Sequence, residues 1–346
     1  MRLVPVKYLK VDAELGMPIM NDEGKIILEA GQALTVQSID MLENMGVADV
    51  YINDKYCFHK NPKSQKDMII FIKHQGDLRE ISSKLADGTL GIDEIKQVYH
   101  IGMEAIKNIK DNKDYKISYK PNNFFVGSSI EQSVYVAIMS IKLGIVNGLK
   151  PASLTNIFVA TILKDLGNPE REDSSISCLV KKYRLDDEIV KTIVQLNEPK
   201  ENGNLDNKDM NKLTNGVIGS SGEAQKKESN KLSKIISIIE KYYILNTTYD
   251  ATNYNQTTFN KELKSILANS DMKILRYFLA NVEVFPRNTI VKLNNGDVAV
   301  VIKQSPFNVF YPEVCVIQGK VSKNNQIISL INARNVKVKS VLYFID

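Results

Sequence analysis

The hydrophobic pattern of this chain changes period twice, and that change limits the available folds more than any single motif does. From Asp67 to about residue 280, apolar residues recur at helical spacing, in segments such as GIDEIKQVYHIGMEAIKNIK, SVYVAIMSIKLG, LTNIFVATILKDL and YRLDDEIVKTIVQL. After Pro286 the period shortens. TIVKL and VAVVI flank Asn295-Gly296, a two-residue hairpin signal, and EVCVI, QIISLI and VKSVLYFI are further β runs. Ahead of the helical stretch, PIMNDEGKIILEAG reads as a hairpin around Asp22-Glu23-Gly24, a helix starts at Thr35 and stops at Gly46, and VADVYI reads as a strand.

These segments predict a multidomain α+β protein. A small N-terminal α/β unit covers 1–54, and a polar linker with Asn61-Pro62 covers 55–66. An all-α domain covers 67–280, and a small antiparallel β unit covers 281–346. Within the helical part, Ser128-Ser129-Ile130-Glu131 reads as a capping box, the helix it opens ends at Gly144, and Pro151 suits the first turn of the next helix. Residues 197–230, rich in Asn, Lys, Gly, Ser and Glu, read as a long mobile loop.

With 346 residues, 43% apolar and 25% charged, the chain has an ordinary globular composition. No apolar run approaches the roughly 20 residues that span a bilayer. The first residues carry charges throughout, without the apolar core of a secretory leader, so a cytoplasmic location is expected. Three scattered cysteines write no disulfide framework, and a net charge of +5 permits but does not demand an anionic partner. Only three histidines are present, His59, His74 and His100, and any histidine-rich metal centre must be built from them.

The stretch ILKDLGN, from Ile162 to Asn168, carries the main chemical question. If the helix runs through it, Asp165 falls three residues after Ile162 and four after Thr161, on the inward side. Lys164 is its neighbour in sequence, and neighbours on a helix do not face each other. Asp165 is therefore expected to be a buried carboxylate whose partner lies elsewhere, because an isolated buried charge is costly.

EQSVYVAIMS followed by LKPASLTNIFVATILKDLGN resembles the start of an HD-GYP domain, with its H-S-V-x-V-A and L-L-H-D-I-G-K patterns. NVEVFPRNTIVKLNNGDVAVVI resembles the tail of many such proteins, KLSKIISIIEKYYILNTT sits where the family has a late aspartate-bearing helix, and the first 35 residues resemble a unit that precedes HD-GYP domains in some bacteria. The resemblance implies an HD-like helical fold and descent from metal-dependent cyclic-di-GMP phosphodiesterases. It also implies that the ligands are gone. Gln132 and Lys164 stand at the first two histidine positions, Asp165 keeps the aspartate of the pair, and Asn168 replaces the motif lysine. QLNE, with Asn197 and Glu198, stands where paired histidines belong, Glu240 aligns with the late aspartate, and the Gly-Tyr-Pro signature has only a loose counterpart in Glu201-Asn202-Gly203.

A hydrolytic metal centre needs several His and carboxylate ligands around open positions. No catalytic residue, metal or cofactor is therefore expected. The resemblance implies a regulatory, scaffold or protein-interaction role in bacterial signalling, with protein partners. Three other readings stay open. A metal-independent sensor could bind cyclic-di-GMP or another nucleotide through Lys164, Asp165 and Gln132, with the lysine as a point charge for phosphate. Basic-aromatic runs, KISYKPNNFF and KKYR at 181–184, could bind nucleic acid, though this partner is disfavoured. A rebuilt, active phosphodiesterase is the least supported. The helical pair in 67–111 suits a homodimer interface or a bridge between domains equally well. Cys57-x-His59 is too sparse for a zinc site, and Gly219-Ser220-Ser221-Gly222 is only loosely a phosphate nest.

Overall fold

The computed structural model describes residues 1–20, 25–47, 49–58, 73–112, 130–168, 170–171, 174–198, 223–248, 261–263, 265, 271–305 and 308–345. The Asp22-Glu23-Gly24 turn, the Ser128 capping box, most of the 55–66 linker, KISYKPNNFF and Gly219–Gly222 lie outside those residues.

The N-terminal unit holds β1 (Arg2–Pro5), β2 (Glu14–Leu15), β3 (Ile19–Met20), β4 (Ile26–Leu28), α1 (Val36–Asn44) and β5 (Asp49–Asn53). The sheet has the order β1-β5-β2 with antiparallel pairing, and β3 pairs with β4 as the hairpin pattern predicts. Thr35 caps α1, its hydroxyl accepting from the Ser38 amide at 3.2 Å while Ser38 Oγ accepts from the Thr35 amide at 2.7 Å. Val4, Leu15, Leu34, Leu42 and Val50 fill the space between helix and sheet.

The helical part follows as α2 (Gln75–Ala86), α3 (Ile92–Asn112), α4 (Ile130–Val146), α5 (Pro151–Ile162), a 3-10 turn (Lys164–Gly167), α6 (Ile176–Lys181), α7 (Asp187–Asn197), α8 (Glu223–Thr248) and α9 (Met272–Asn281). Helix α5 is the hub. It opens with Pro151 at its first turn, is buried without interruption from Asn156 through Ile162, and touches α3, α4, α7 and α8. Its polar residues are satisfied locally or by neighbours: Thr161 Oγ1 donates to the Ile157 carbonyl at 2.7 Å, and Asn156 donates to Glu188 of α7.

Two boundaries differ from the sequence expectation. Helix α4 continues past Gly144 to Val146. A Cβ at Gly144 would lie 2.7 Å from Leu154 Cδ2, so this glycine lets α4 and α5 approach closely and does not end the helix. Helices reach into both ends of the 197–230 segment read as a loop, and residues 199–222, with Glu201-Asn202-Gly203, lie outside the described residues. Asn197 closes α7, and α8 starts at Glu223, because EAQKKE is made of strong helix formers that extend the apolar helix behind them.

The C-terminal unit comprises β6 (Ile290–Leu293), β7 (Val298–Lys303), β8 (Glu313–Gln318), β9 (Ile327–Ser329) and β10 (Val338–Leu342) in the antiparallel order β10-β6-β7-β8-β9, with Asn295-Gly296 in the β6–β7 turn. One face packs Phe285, Val291, Leu293, Val301, Val314 and Val316; the other brings Ile290, Val298 and Val300 against Tyr56 and Leu342. The three units interlock. Met1, Met17 and Tyr51 join the helical core. Tyr343 stacks on Tyr8 at 5.0 Å, Arg2 lies 4.9 Å over the Phe344 ring, and the buried Asn288 donates to the Met1 carbonyl at 3.2 Å. No helix among the described residues is long and apolar enough to cross a membrane.

Candidate functional site

The candidate site lies where the end of α5 meets α7 and α8. Leu163 (φ −99°, ψ 12°) breaks the α register, and Lys164–Gly167 continue as a 3-10 turn. Lys164 is the first residue of that turn, and its ammonium reaches Glu240 of α8, Nζ to Oε1 at 2.5 Å. Both side chains are mostly covered, with 25% and 22% exposure. Glu240 is presented there because Ile235, Ile236, Ile238 and Ile239 fix the rotation of α8 against the core.

Asn197, at the end of α7, holds the turn from its other side. Its Nδ2 donates to the Lys164 carbonyl at 2.8 Å and to the Ile193 carbonyl at 2.9 Å. The approach is close: a Cβ on Gly167 would lie 2.6 Å from Ile193 Cγ2 and 2.7 Å from Asn197 Nδ2. Ser233 Oγ donates to Gln195 Oε1 at 2.8 Å and ties α8 to α7 one step further along. Lys164, Asn197 and Glu240 are thus brought together, joined by direct bonds.

The remaining expected positions are not part of that cluster. Asp165 is exposed, and among the described residues its carboxylate has no protein partner, which corrects the expectation of a buried acid. The inward placement assumed continuous α spacing from Thr161 and Ile162, and the switch to 3-10 geometry at Leu163 removes that spacing. Glu198 is exposed just past α7, and partial desolvation pushes its carboxyl upward from the usual range. Gln132 is half-buried one turn ahead of Tyr135, whose ring meets Tyr243 of α8 at 5.1 Å. Among the described residues Gln132 makes no hydrogen bond to Lys164, Asp165 or Glu240.

The donor set does not fit a metal centre. Among the described residues no three His, Cys, Asp or Glu side chains converge as one would require. His74 faces Asp77 at 3.3 Å and Glu104 at 3.0 Å through its two ring nitrogens, between α2 and α3, and His100 is exposed on α3. In KKYR, Tyr183 is fully buried, so that run offers no aromatic face for a base. What sequence reasoning missed is the direct bond between Lys164 and Glu240. Both had been placed at ligand positions, but a contact across 76 residues leaves no local signal.

No family model, no curated protein and no solved structure matches the chain.

Proposed function

We propose that the chain is a catalytically inactive, HD-GYP-like protein that acts in bacterial signalling as a regulatory or scaffold component. The observation that carries this reading is the Lys164–Glu240 ion pair. On the HD-GYP resemblance, both residues stand at metal-ligand positions, and an ammonium now satisfies the carboxylate that an ion would otherwise bind. A cation that is part of the chain does not exchange, opens no coordination site and activates no water. Asn197 adds to this by locking the backbone of the same turn.

The test is metal analysis of the purified chain for manganese, iron and zinc, together with an assay of cyclic-di-GMP hydrolysis. The expected result is sub-stoichiometric metal and no turnover. Stoichiometric metal accompanied by hydrolysis would overturn the reading. Calorimetry with cyclic-di-GMP addresses the sensor alternative in the same preparation: heat that is lost in Lys164→Ala would favour it.

A further inference from the structure

The C-terminal sheet carries a charge asymmetry that the helical site does not explain. From Arg287 to Ile345 there are eight Lys and Arg residues, all exposed, against two acids, Asp297 and Glu313. Asp297 is fully buried and turns its carboxylate inward, and Glu313 lies 3.9 Å from Lys303, so the side chains exposed at the far end of the sheet include cations and no acid. Four of the cations gather at one end. Lys320 and Lys323 lie on the β8–β9 loop, and the Lys320 side chain covers Gly296. Arg334 and Lys337 come from the segment returning to β10, which Asn294 holds through the Asn335 carbonyl at 2.7 Å and the Lys337 amide at 3.0 Å.

The loop is rigidly presented. The Asp297 carboxylate accepts from the amides of Lys320 at 2.6 Å, Val321 at 2.8 Å and Ser322 at 3.4 Å. With its amides turned inward, the loop leaves its side chains outside: Val321 is 75% exposed, and Val321, Lys323, Asn324, Asn325 and Gln326 line an open cleft of ≈ 540 Å³. Directly after the cleft comes β9, an edge strand of the sheet. Val316 donates to the Gln326 carbonyl and Leu330 to the Pro312 carbonyl. By alternation, the N–H and C=O of Ile327 and the N–H of Ser329 turn to the open side. Ile327 is 64% exposed there.

Among the described residues β9 has an open outer edge, beside a cleft lined by Val321, Lys323 and three amide side chains, with further cations along the same end of the sheet, and this combination matches one kind of partner. We propose that β9 and its cleft dock an extended acidic peptide segment of a partner protein, which adds to the sheet as a further strand. The charge selects among occupants. A second copy of this edge brings the same excess of exposed cations and no acidic cluster to meet Lys320 and Lys323. A nucleic acid would find cations but only aliphatic side chains, Val321 and Ile327, where stacking needs rings. The inference does not depend on the HD-GYP reading, and an active helical site would leave it standing.

The probe is a short fluorescent peptide alternating glutamate and valine, titrated into the full chain, with a lysine–valine peptide and an oligothymidylate as competitors. Saturable binding of the acidic peptide is expected, weakened by salt, and reduced roughly tenfold or more by Lys320→Glu combined with Lys323→Glu. Ser329→Pro should abolish it, because proline removes an outward donor without touching the β8–β9 ladder. Melting curves verify that each variant folds, and if Ser329→Pro does not, the lysine variants decide. Absence of binding, binding unchanged in the lysine variants, or preferential capture of the oligothymidylate would each overturn the proposal.

Discussion

The ammonium of Lys164 lies 2.5 Å from the carboxylate of Glu240, joining the 3-10 turn after the central helix to α8. This contact makes the turn a fixed point in the helical core, and Asn197 and Gly167 belong to the same junction.

A double-mutant cycle of Lys164→Met and Glu240→Gln should give a coupling of about 1 kcal/mol, the upper range for a pair that keeps some solvent access. Urea denaturation of the four proteins measures it. A coupling indistinguishable from zero would mean that the pair does not hold the turn.

On the proposed HD-GYP-like reading, Lys164→His returns a ligand to one position without building a site. Asp165 stays exposed after the helix break, and Gln132 and Asn197 remain neutral amides. No stoichiometric manganese or zinc is expected by elemental analysis. Stoichiometric uptake would show that a single histidine is enough to build a metal site here.

Gly167→Ala places a methyl group within 2.6 Å of Ile193 Cγ2 and 2.7 Å of Asn197 Nδ2. Overpacking of this kind costs about 1–3 kcal/mol. Thermal melting should show the loss. A smaller penalty in the Asn197→Ala background would establish that the amide is part of the clash.

Asp297 gives a pH prediction. Burial works against its charged form, but hydrogen bonds from Ser322, the Val321 and Lys320 amides and Asn295 prevail and lower its carboxyl from 3.8 to about 2. The folded value is below the unfolded one. The stabilisation is therefore complete above the unfolded value of 3.8 and is lost as pH falls from there through about 2. Asp297→Asn should lower stability by about 2 kcal/mol at neutral pH, with the gap to the parent narrowing in acid. Denaturant midpoints at neutral pH and near pH 3 check both the size and the sign. A gap that is independent of pH would show that the loss comes from packing.

Much of the fold was legible along the chain because its signals are local. The period change at either end of the helical part, the Asn295-Gly296 hairpin, the Thr35 cap and Pro151 at the start of α5 each depend on a few consecutive residues. Gly144 was legible as a special position but not in its role, because what requires a glycine there is Leu154 on another helix. At the site, the sequence singled out Lys164, Asn197 and Glu240, which the fold joins, whereas Asp165 was turned the wrong way. Its orientation depends on one backbone step at Leu163, and periodicity assumes that no such step occurs.

By itself, then, the sequence determined which segments are helices and strands, and where most of them start. Those are properties of neighbours within a turn or two, set by spacing, capping and side-chain chemistry. Tertiary structure alone decided that Lys164 is paired with Glu240, that Asp165 is left in solvent, that Asn197 locks the turn, and that Tyr343 and Phe344 close onto the N-terminal unit. Each of these depends on the relative rotation and approach of elements far apart in the chain. That geometry is set by packing of the whole core and leaves no trace in any short stretch of residues.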